Sequence, residues 1–312
     1  MYAHFRAKPL ELMENRTERA FAELNGGWTE IMPHPLLLSL AFTILCSSAV
    51  AAQGICSRFR PVPGRCDLTG TPVDQAKCLL RPVKKFGNLG APLQELPAPF
   101  DTVVGQPTSI TVEQLKRFLT TKGIREADVG GSLSVKLSKP TYFVIHDTSD
   151  FLESNDFPST INDETSSLNN LSRRVPKKVC HVYINRIGQS ATAVVFESPT
   201  PPPGTKFGTC HRAQRTAFLH IENIQPRIRD RSVSFKNDAV APNPGFTEDQ
   251  LKRLALVYLV ASVRSGKWLI PGFHSPIDLG YPDAHDDPQN FNLLTWAMKV
   301  SELVDQIKSQ EN

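Results

Sequence analysis

The sequence predicts an α/β domain in which helices flank a central mixed β-sheet, with a small Cys- and Pro-rich region before it. Short runs of β-branched and aromatic residues alternate with polar turns, which is typical of strands. Two longer segments towards the C terminus carry apolar residues at helical spacing. Strands followed by amphipathic helices favour a sheet that helices cover. The 312 residues suffice for one large domain or two smaller ones.

Four apolar, β-rich segments predict the strands of the sheet. A polar stretch between the first and second of them predicts a long surface loop over 150–178. A Pro-rich segment at 199–204 predicts a stiff loop before the last one. The predicted strands are 141–146, 181–186, 191–196 and 216–222.

The predicted helices are defined by their N-terminal signals and their apolar faces. Thr247 with Gln250 forms a capping box, and apolar residues follow at helical spacing. A second strong helix covers 292–307. Earlier in the chain, Thr111 caps a helix with one apolar face, and a short helix over 75–81 stops at a proline.

The N-terminal segment predicts export. The run 36–45 has about ten apolar residues, too few to span a bilayer but typical of a signal-peptide core. Ala49-Val50-Ala51 then supplies the small-x-small pattern of a cleavage site; a buried core helix is the alternative. We therefore expect a periplasmic or secreted protein whose mature form has no membrane span. The expected segments are an upstream extension at 1–31, a signal peptide at 32–51, an accessory region at 52–135 and the main domain at 136–312.

The six cysteines predict disulfides. None lies in a CxxC pair, which argues against a structural zinc knuckle, and an exported chain meets an oxidising compartment. Cys180 and Cys210 each precede a predicted strand, so we expect them to pair. One further pair is expected among Cys56, Cys66 and Cys78, and the sequence does not choose it.

Composition and charge restrict the partners only weakly. The chain is 40% hydrophobic and 21% charged, with a formal net charge of +4. These values are typical of a globular protein. The mild positive charge suits an anionic polymer such as a cell wall. It is too weak to indicate nucleic-acid binding, and none is expected.

Three places hold polar residues where packing alone would not put them. His146 ends an apolar strand, His274 lies in the run 272–278, and Asp287 lies in the run 284–291. A catalytic zinc site needs three protein ligands of the His or Asp type and an open fourth position. A lone histidine at a strand end is more often an ordinary hydrogen-bonded residue. The three together favour a metal site, although their spacing is wide.

Five motifs in order give the chain a family resemblance. It resembles the zinc amidases of the type-2 N-acetylmuramoyl-L-alanine amidase and peptidoglycan recognition protein superfamily, over about 139–308. The motifs are a strand ending in Ile-His, a His-Tyr-like strand with a basic-residue/Gly turn, a strand carrying a glutamate, a helix opening with Phe-Thr-x-x-Gln, and Gly-x-His-Ser-x-Ile followed by Asp-Pro-x-x-Phe. In the same order, the two histidine strands lie at 144–149 and 181–188, and the glutamate strand lies at 219–223. The helix lies at 246–263, and the last pair of motifs lies at 272–277 and 287–291.

The resemblance implies a zinc site and its chemistry. By position, His146, His274 and Asp287 are the zinc ligands, with Asp286 as the alternative to Asp287. Glu222 matches the glutamate that activates the attacking water. His285 stands where the family often has a lysine that stabilises the oxyanion.

The implied substrate is peptidoglycan or muropeptides, cut at the amide between N-acetylmuramic acid and L-alanine. A non-catalytic peptidoglycan-binding protein on the same fold is the alternative, and a zinc hydrolase for another amide is a third hypothesis. The chain departs from the family at Asp147, where many relatives have His or Asn, and around His211, where a Trp-His-Ala-Gly motif is expected. His181 and His220 are expected to be core or supporting residues rather than ligands.

Overall fold

The computed structural model describes residues 64–230, 239–281 and 285–310. The chain divides into a unit of residues 1–55 and a unit of residues 56–312, and the described residues all belong to the second. The expected extension at 1–31 and signal peptide at 32–51 lie outside the described residues.

A five-stranded mixed sheet forms the centre of the second unit, in the order β4-β3-β5-β1-β8. Strand β4 is antiparallel to β3, and the other neighbours are parallel. The α/β class with a mixed central sheet is therefore confirmed. The strands are β1 (Tyr142–Asp147), β3 (Val182–Ile184), β4 (Ser190–Thr192), β5 (Phe218–Asn223) and β8 (Ile270–Phe273).

Strand β8 was not predicted, and it lies at the sheet edge beside β1. Its second residue, Pro271, has no N–H to donate to a strand ladder, and edge strands tolerate this. A Cβ on Gly272 would lie 2.9 Å from the Cβ of Leu79, so the glycine lets a helix approach the sheet closely.

A smaller sheet of three short strands lies beyond the carboxyl ends of β1 and β5. Its order is β2-β6-β7, with β2 parallel to β6 and β7 antiparallel to it. These strands were also not predicted. They are β2 (Asp150–Phe151), β6 (Pro226–Arg229) and β7 (Ala239–Val240).

Helices cover both faces of the central sheet. Thr247 and Gln250 form the predicted capping box of the longest one, and its Tyr258 packs edge-on against Phe143 of β1 at 5.0 Å. On the opposite face the Tyr142 hydroxyl donates to Gln75 of the first helix. The helices are α1 (Pro72–Leu79), α2 (Phe100–Val103), α3 (Val112–Thr121), α4 (Lys206–Cys210), α5 (Glu248–Ser265), α6 (His274–Ile277) and α7 (Leu293–Ser309).

The region before the sheet shares its hydrophobic core. Phe100 of α2 is fully buried against Trp296 of α7, with ring centroids 4.9 Å apart. Leu115 and Phe118 of α3 join the same cluster of buried residues. Helix α3 begins at the predicted cap and has a capping box.

The predicted surface loop over 150–178 is more ordered than its composition indicates. It contains β2 and several 3-10 turns, and Asn169 within it is buried and donates to the carbonyls of Ile161 and Asp163. The 3-10 segments of the described chain are Lys85–Gly87, Glu126–Asp128, Ser159–Asn162, Ser167–Asn169, Leu171–Arg173, Val175–Lys177 and Arg212–Ala217.

One of the two disulfide predictions is confirmed and the other is wrong. Cys66 and Cys78 are bonded, which resolves the choice that the sequence left open. Cys180 is instead a buried free thiol, while Cys210 belongs to a disulfide with another partner. The Cys180 sulfur is enclosed at the start of β3 and lies 3.5 Å from the Val182 carbonyl. A position just before a strand was therefore not enough to bring the sulfurs of Cys180 and Cys210 within bonding distance.

Among the described helices, none combines the length and apolar character that crossing a membrane requires.

Candidate metal centre

The carboxyl ends of β1 and β8 bring two histidines together. His146 is the fifth residue of β1, and His274 follows β8 directly as the first residue of α6. The strands are parallel, with Ile145 opposite Phe273, so the next residue of each strand lies at the same level. The two imidazole centroids are 4.4 Å apart, and both side chains are buried.

Asp287 completes a group of three candidate ligands. His146, His274 and Asp287 each offer one ligand atom, and these atoms lie within 4.8 Å of one another. His146 Nδ1 is 3.6 Å from Asp287 Oδ2, and His274 Nδ1 is 2.9 Å from Oδ1. Ligands about 2.0–2.1 Å from a tetrahedral ion are about 3.4 Å from each other. The observed separations are close to that spacing.

A buried ion pair holds the Asp287 segment against β1. The Asp147 carboxylate accepts from Arg227 at 2.8 Å and 3.0 Å, and from the Gln289 backbone N–H at 3.1 Å. The Asp147 backbone N–H in turn donates to Asp287 Oδ2 at 3.2 Å. Asp147 therefore ties the end of β1 to the chain on both sides of Pro288.

Protonation differs among the three candidate ligands. Burial and repulsion from His274 lower the pKa of His146 to about 4, so its ring is neutral at neutral pH. Burial also disfavours the charged forms of His274 and Asp287, but the attraction between these two side chains outweighs burial. That attraction holds the pKa of His274 well above its usual range and the pKa of Asp287 well below its usual range. These two residues therefore form an imidazolium–carboxylate pair.

Glu222 lies beside the group on the neighbouring strand. It is opposite His146 in the β1–β5 register, and its Oε1 is 3.9 Å from His146 Nδ1. Its side chain is only 17% exposed. Burial, and then repulsion from Asp287, raise the pKa of Glu222 well above its usual range. The surroundings of Glu222 therefore favour the protonated form of its carboxyl group.

The remaining residues predicted at the site lie at its margin. His285 is exposed, with Nδ1 3.8 Å from Asp287 Oδ1 and its ring 5.1 Å from His274. Asp286 faces Arg227 at 3.6 Å and accepts from the Gln289 amide, so the structure groups Asp287, not Asp286, with the histidines.

The donor set suits a divalent metal ion. Two imidazole nitrogens and one carboxylate are ligands that zinc and other first-row metals accept. One buried oxygen beside the group, Glu222 Oε2, has no hydrogen-bond partner within the described parts of the chain. Leaving a buried acceptor unpaired costs about 1–3 kcal/mol. A cation here would relieve that cost, so the residues present fit a metal.

Sequence reasoning missed the residues that support this group. Arg227 lies in an unpredicted strand, and no local pattern marks it as the partner of Asp147. Asp278 stands in the polar run after His274 without a role, yet it accepts from His274 Nε2 at 2.8 Å. His220, which the sequence analysis expects to be a core or supporting residue, is buried, and its Nδ1 lies 3.0 Å from His146 Nε2.

Comparison with known proteins does not assign the chain to a family. The sequence matches no protein-family model, and no curated protein is significantly similar to it.

Proposed function

We propose that the protein is a zinc-dependent amidase that hydrolyses the bond between N-acetylmuramic acid and L-alanine in peptidoglycan. The observation that carries the proposal is the buried group of His146, His274 and Asp287 with Glu222 beside it. These are the four residues that the motif order implies. They come from four separate segments of the chain, so their convergence supports the resemblance independently of motif spacing.

Glu222 is the proposed acid/base. When bound, zinc supplies Lewis acidity, which polarises a carbonyl and makes water easier to deprotonate. A divalent charge held by these ligands would also lower the pKa of Glu222 and favour its ionised form. Glu222 then accepts a proton from the attacking water and delivers it to the leaving amine.

His285 is the proposed oxyanion partner. It is exposed and lies at the rim of the group, within 3.8 Å of Asp287. An imidazole in this place can donate a hydrogen bond to a substrate oxygen without entering the metal coordination. Donors of this kind typically contribute about 10²–10³-fold in rate.

Export to the periplasm or the medium belongs to the same proposal. The Cys66–Cys78 disulfide supports it, because structural disulfides persist in oxidising compartments. A non-catalytic peptidoglycan-binding protein is the alternative. That alternative gives Glu222 no role. Hydrolysis is favoured because Glu222 Oε2 is buried beside the ligands and has no hydrogen-bond partner among the residues that the structure describes.

The test compares metal content with cleavage in matched variants. His274→Ala should lose both zinc and activity, because two remaining ligands hold the ion poorly. Glu222→Gln should keep zinc and lose about 10²–10⁴-fold in rate, because an amide cannot take the water proton. Glu113→Gln, an exposed change on α3, serves as the control and should match the wild type.

Metal content is measured by mass spectrometry of the purified protein. Cleavage is measured by dye release from labelled peptidoglycan, and the new ends are identified by mass spectrometry. Wild-type protein that binds no zinc, or Glu222→Gln at full rate, contradicts the assignment. Binding to the wall without cleavage by the zinc-loaded wild type favours the non-catalytic alternative.

A further inference from the structure

Each candidate metal-binding histidine has a second ring nitrogen with a buried partner. His146 Nε2 lies 3.0 Å from His220 Nδ1, and His274 Nε2 lies 2.8 Å from Asp278 Oδ2. In both rings the other nitrogen, Nδ1, is the one that faces Asp287. The partner of Nε2 therefore decides which tautomer each ring adopts, and with it whether Nδ1 has a lone pair for a metal.

Asp278 is fixed as an acceptor by the backbone. Its Oδ2 accepts from the Lys206 N–H at 2.7 Å, and its Oδ1 accepts from the Phe207 N–H at 2.9 Å. Two backbone donors stabilise the ionised form of a carboxyl group. An ionised carboxylate can only accept, so His274 Nε2 keeps its proton and Nδ1 is the nitrogen that can give up a proton to form a ligand bond.

His220 is held in place by two backbone contacts. Its own N–H donates to His181 Nδ1 at 3.0 Å. A Cβ on Gly204 would lie 2.2 Å from the His220 ring, so backbone packs directly on the ring. Held in this way, His220 Nδ1 can accept the Nε2 proton of His146, which leaves His146 Nδ1 for a ligand bond.

One short segment supports both partners. Gly204 contacts the His220 ring, and the two N–H groups that Asp278 accepts follow immediately at the start of α4. Gly204 and the Lys206 and Phe207 N–H groups therefore link the surroundings of both histidines, although none of them is a candidate ligand.

We propose that Asp278 and His220 are positioning residues that present Nδ1 of His274 and of His146 to the metal. The proposal rests on the metal binding of the proposed function and deepens it. Metal-bound histidines in proteins usually donate their other ring N–H to an acceptor, and losing that acceptor typically costs about 10–100-fold in metal affinity. Here the two acceptors differ, a carboxylate for His274 and an imidazole for His146.

The first test is Asp278→Asn in the full chain. An amide that turns its NH₂ group to His274 Nε2 reverses the tautomer and places the proton on Nδ1. We expect Zn²⁺ affinity, measured by competition with a chelator, to fall about 10–100-fold. Nitrogen NMR of ¹⁵N-histidine-labelled protein reports which ring nitrogen binds zinc, and the wild type should show two rings bound through Nδ1 with Nε2 protonated.

The matched control is Thr205→Ala. The Thr205 hydroxyl accepts from the Gly208 N–H and caps the same helix α4 whose first N–H groups Asp278 accepts. If Asp278 only stabilised α4, both variants would weaken zinc binding alike, and that result overturns the proposal. Positioning predicts that Thr205→Ala keeps wild-type affinity and the wild-type nitrogen signals.

A second pair of variants tests His220 independently. Asn places an amide oxygen near the position of imidazole Nδ1, whereas Leu has no acceptor. His220→Leu should weaken zinc binding about 10–100-fold, and His220→Asn should recover most of that loss. Equal affinity of the two variants, or zinc bound through Nε2 in the wild type, contradicts the proposal.

The outcomes separate this proposal from the proposed function. Zinc bound through Nδ1, lost in Asp278→Asn, with no cleavage of peptidoglycan supports positioning and refutes the amidase. Cleavage by the wild type together with unchanged zinc affinity in both Asp278→Asn and His220→Leu supports the amidase and refutes positioning.

Discussion

The buried ion pair between Asp147 and Arg227 supports both the fold and the candidate site, and Arg227→Met tests it. Both side chains are at most 1% exposed. The carboxylate also accepts from the Ser149 and Gln289 backbone N–H groups. Met has a length similar to the aliphatic part of Arg, so the change removes the charge with little loss of volume.

The expected loss follows from leaving a carboxylate buried without its cation. Removing one member of a buried pair costs about 3–5 kcal/mol, which is a large share of the roughly 5–15 kcal/mol that stabilises a typical domain. Burial already raises the pKa of Asp147 to about 6, with Arg227 opposing the shift. Without Arg227 that pKa rises further.

The pH dependence has a definite sign. A carboxyl group whose pKa is higher in the folded state binds its proton more tightly there, so stability falls as pH rises through the folded pKa. Because Arg227→Met raises the pKa of Asp147 beyond about 6, its penalty should be larger at pH 8 than at pH 5.

Urea unfolding with chelator present, at both pH values, measures this effect. Arg125→Met is the control, since it breaks a two-bond ion pair with Asp128 that is exposed on the Arg side and should change the free energy of unfolding little. The double variant Asp147→Asn with Arg227→Met should recover part of the loss. Arg227→Met within about 1 kcal/mol of the wild type at pH 8, or a penalty that grows towards pH 5, would refute the reasoning.

Two further predictions concern buried titratable groups. Burial and the nearby Glu222 raise the pKa of the Cys180 thiol well above its usual range, so it should resist alkylation in the native protein and react after unfolding; peptide mapping that finds it labelled in native protein would contradict this. Burial lowers the pKa of His146 to about 4 and of His181 to about 3, so the unfolded state takes up protons first as pH falls. Apoprotein stability should therefore drop between pH 6.5 and pH 4, by up to about 1.4 kcal/mol per pH unit for each histidine, less the opposing contribution of Asp147 and Glu222, whose raised pKa values favour the folded state as pH falls. A midpoint in urea that does not fall over this range would contradict the prediction.

The parts of the fold that the sequence predicts are those with a strong local pattern. Strand β1 and helix α5 have clear periodicity or caps, and both form close to the predicted positions. Strand β8 was missed because Pro271 and Gly272 interrupt its pattern. What makes it a strand is pairing with β1 at a sheet edge, which no local segment encodes.

The candidate site shows the same division. His146, His274 and Asp287 stand out as polar residues beside apolar runs, and the structure brings them together. The residues that orient them depend on register and on distant backbone. Whether His220 meets His146 depends on how β1 and β5 align, and the partner of Asp147 comes from a strand without a recognisable pattern.

Charge balance connects the buried groups to the chemistry proposed for them. Arg227 neutralises Asp147, and the proton held by His274 neutralises Asp287. The pKa of Glu222 is raised because burial and repulsion from Asp287 outweigh the attraction of His274. A divalent ion held by His146, His274 and Asp287 would displace the His274 proton and bring two positive charges in its place. Under the proposed function, this additional positive charge would favour the ionised form of Glu222, the proposed base.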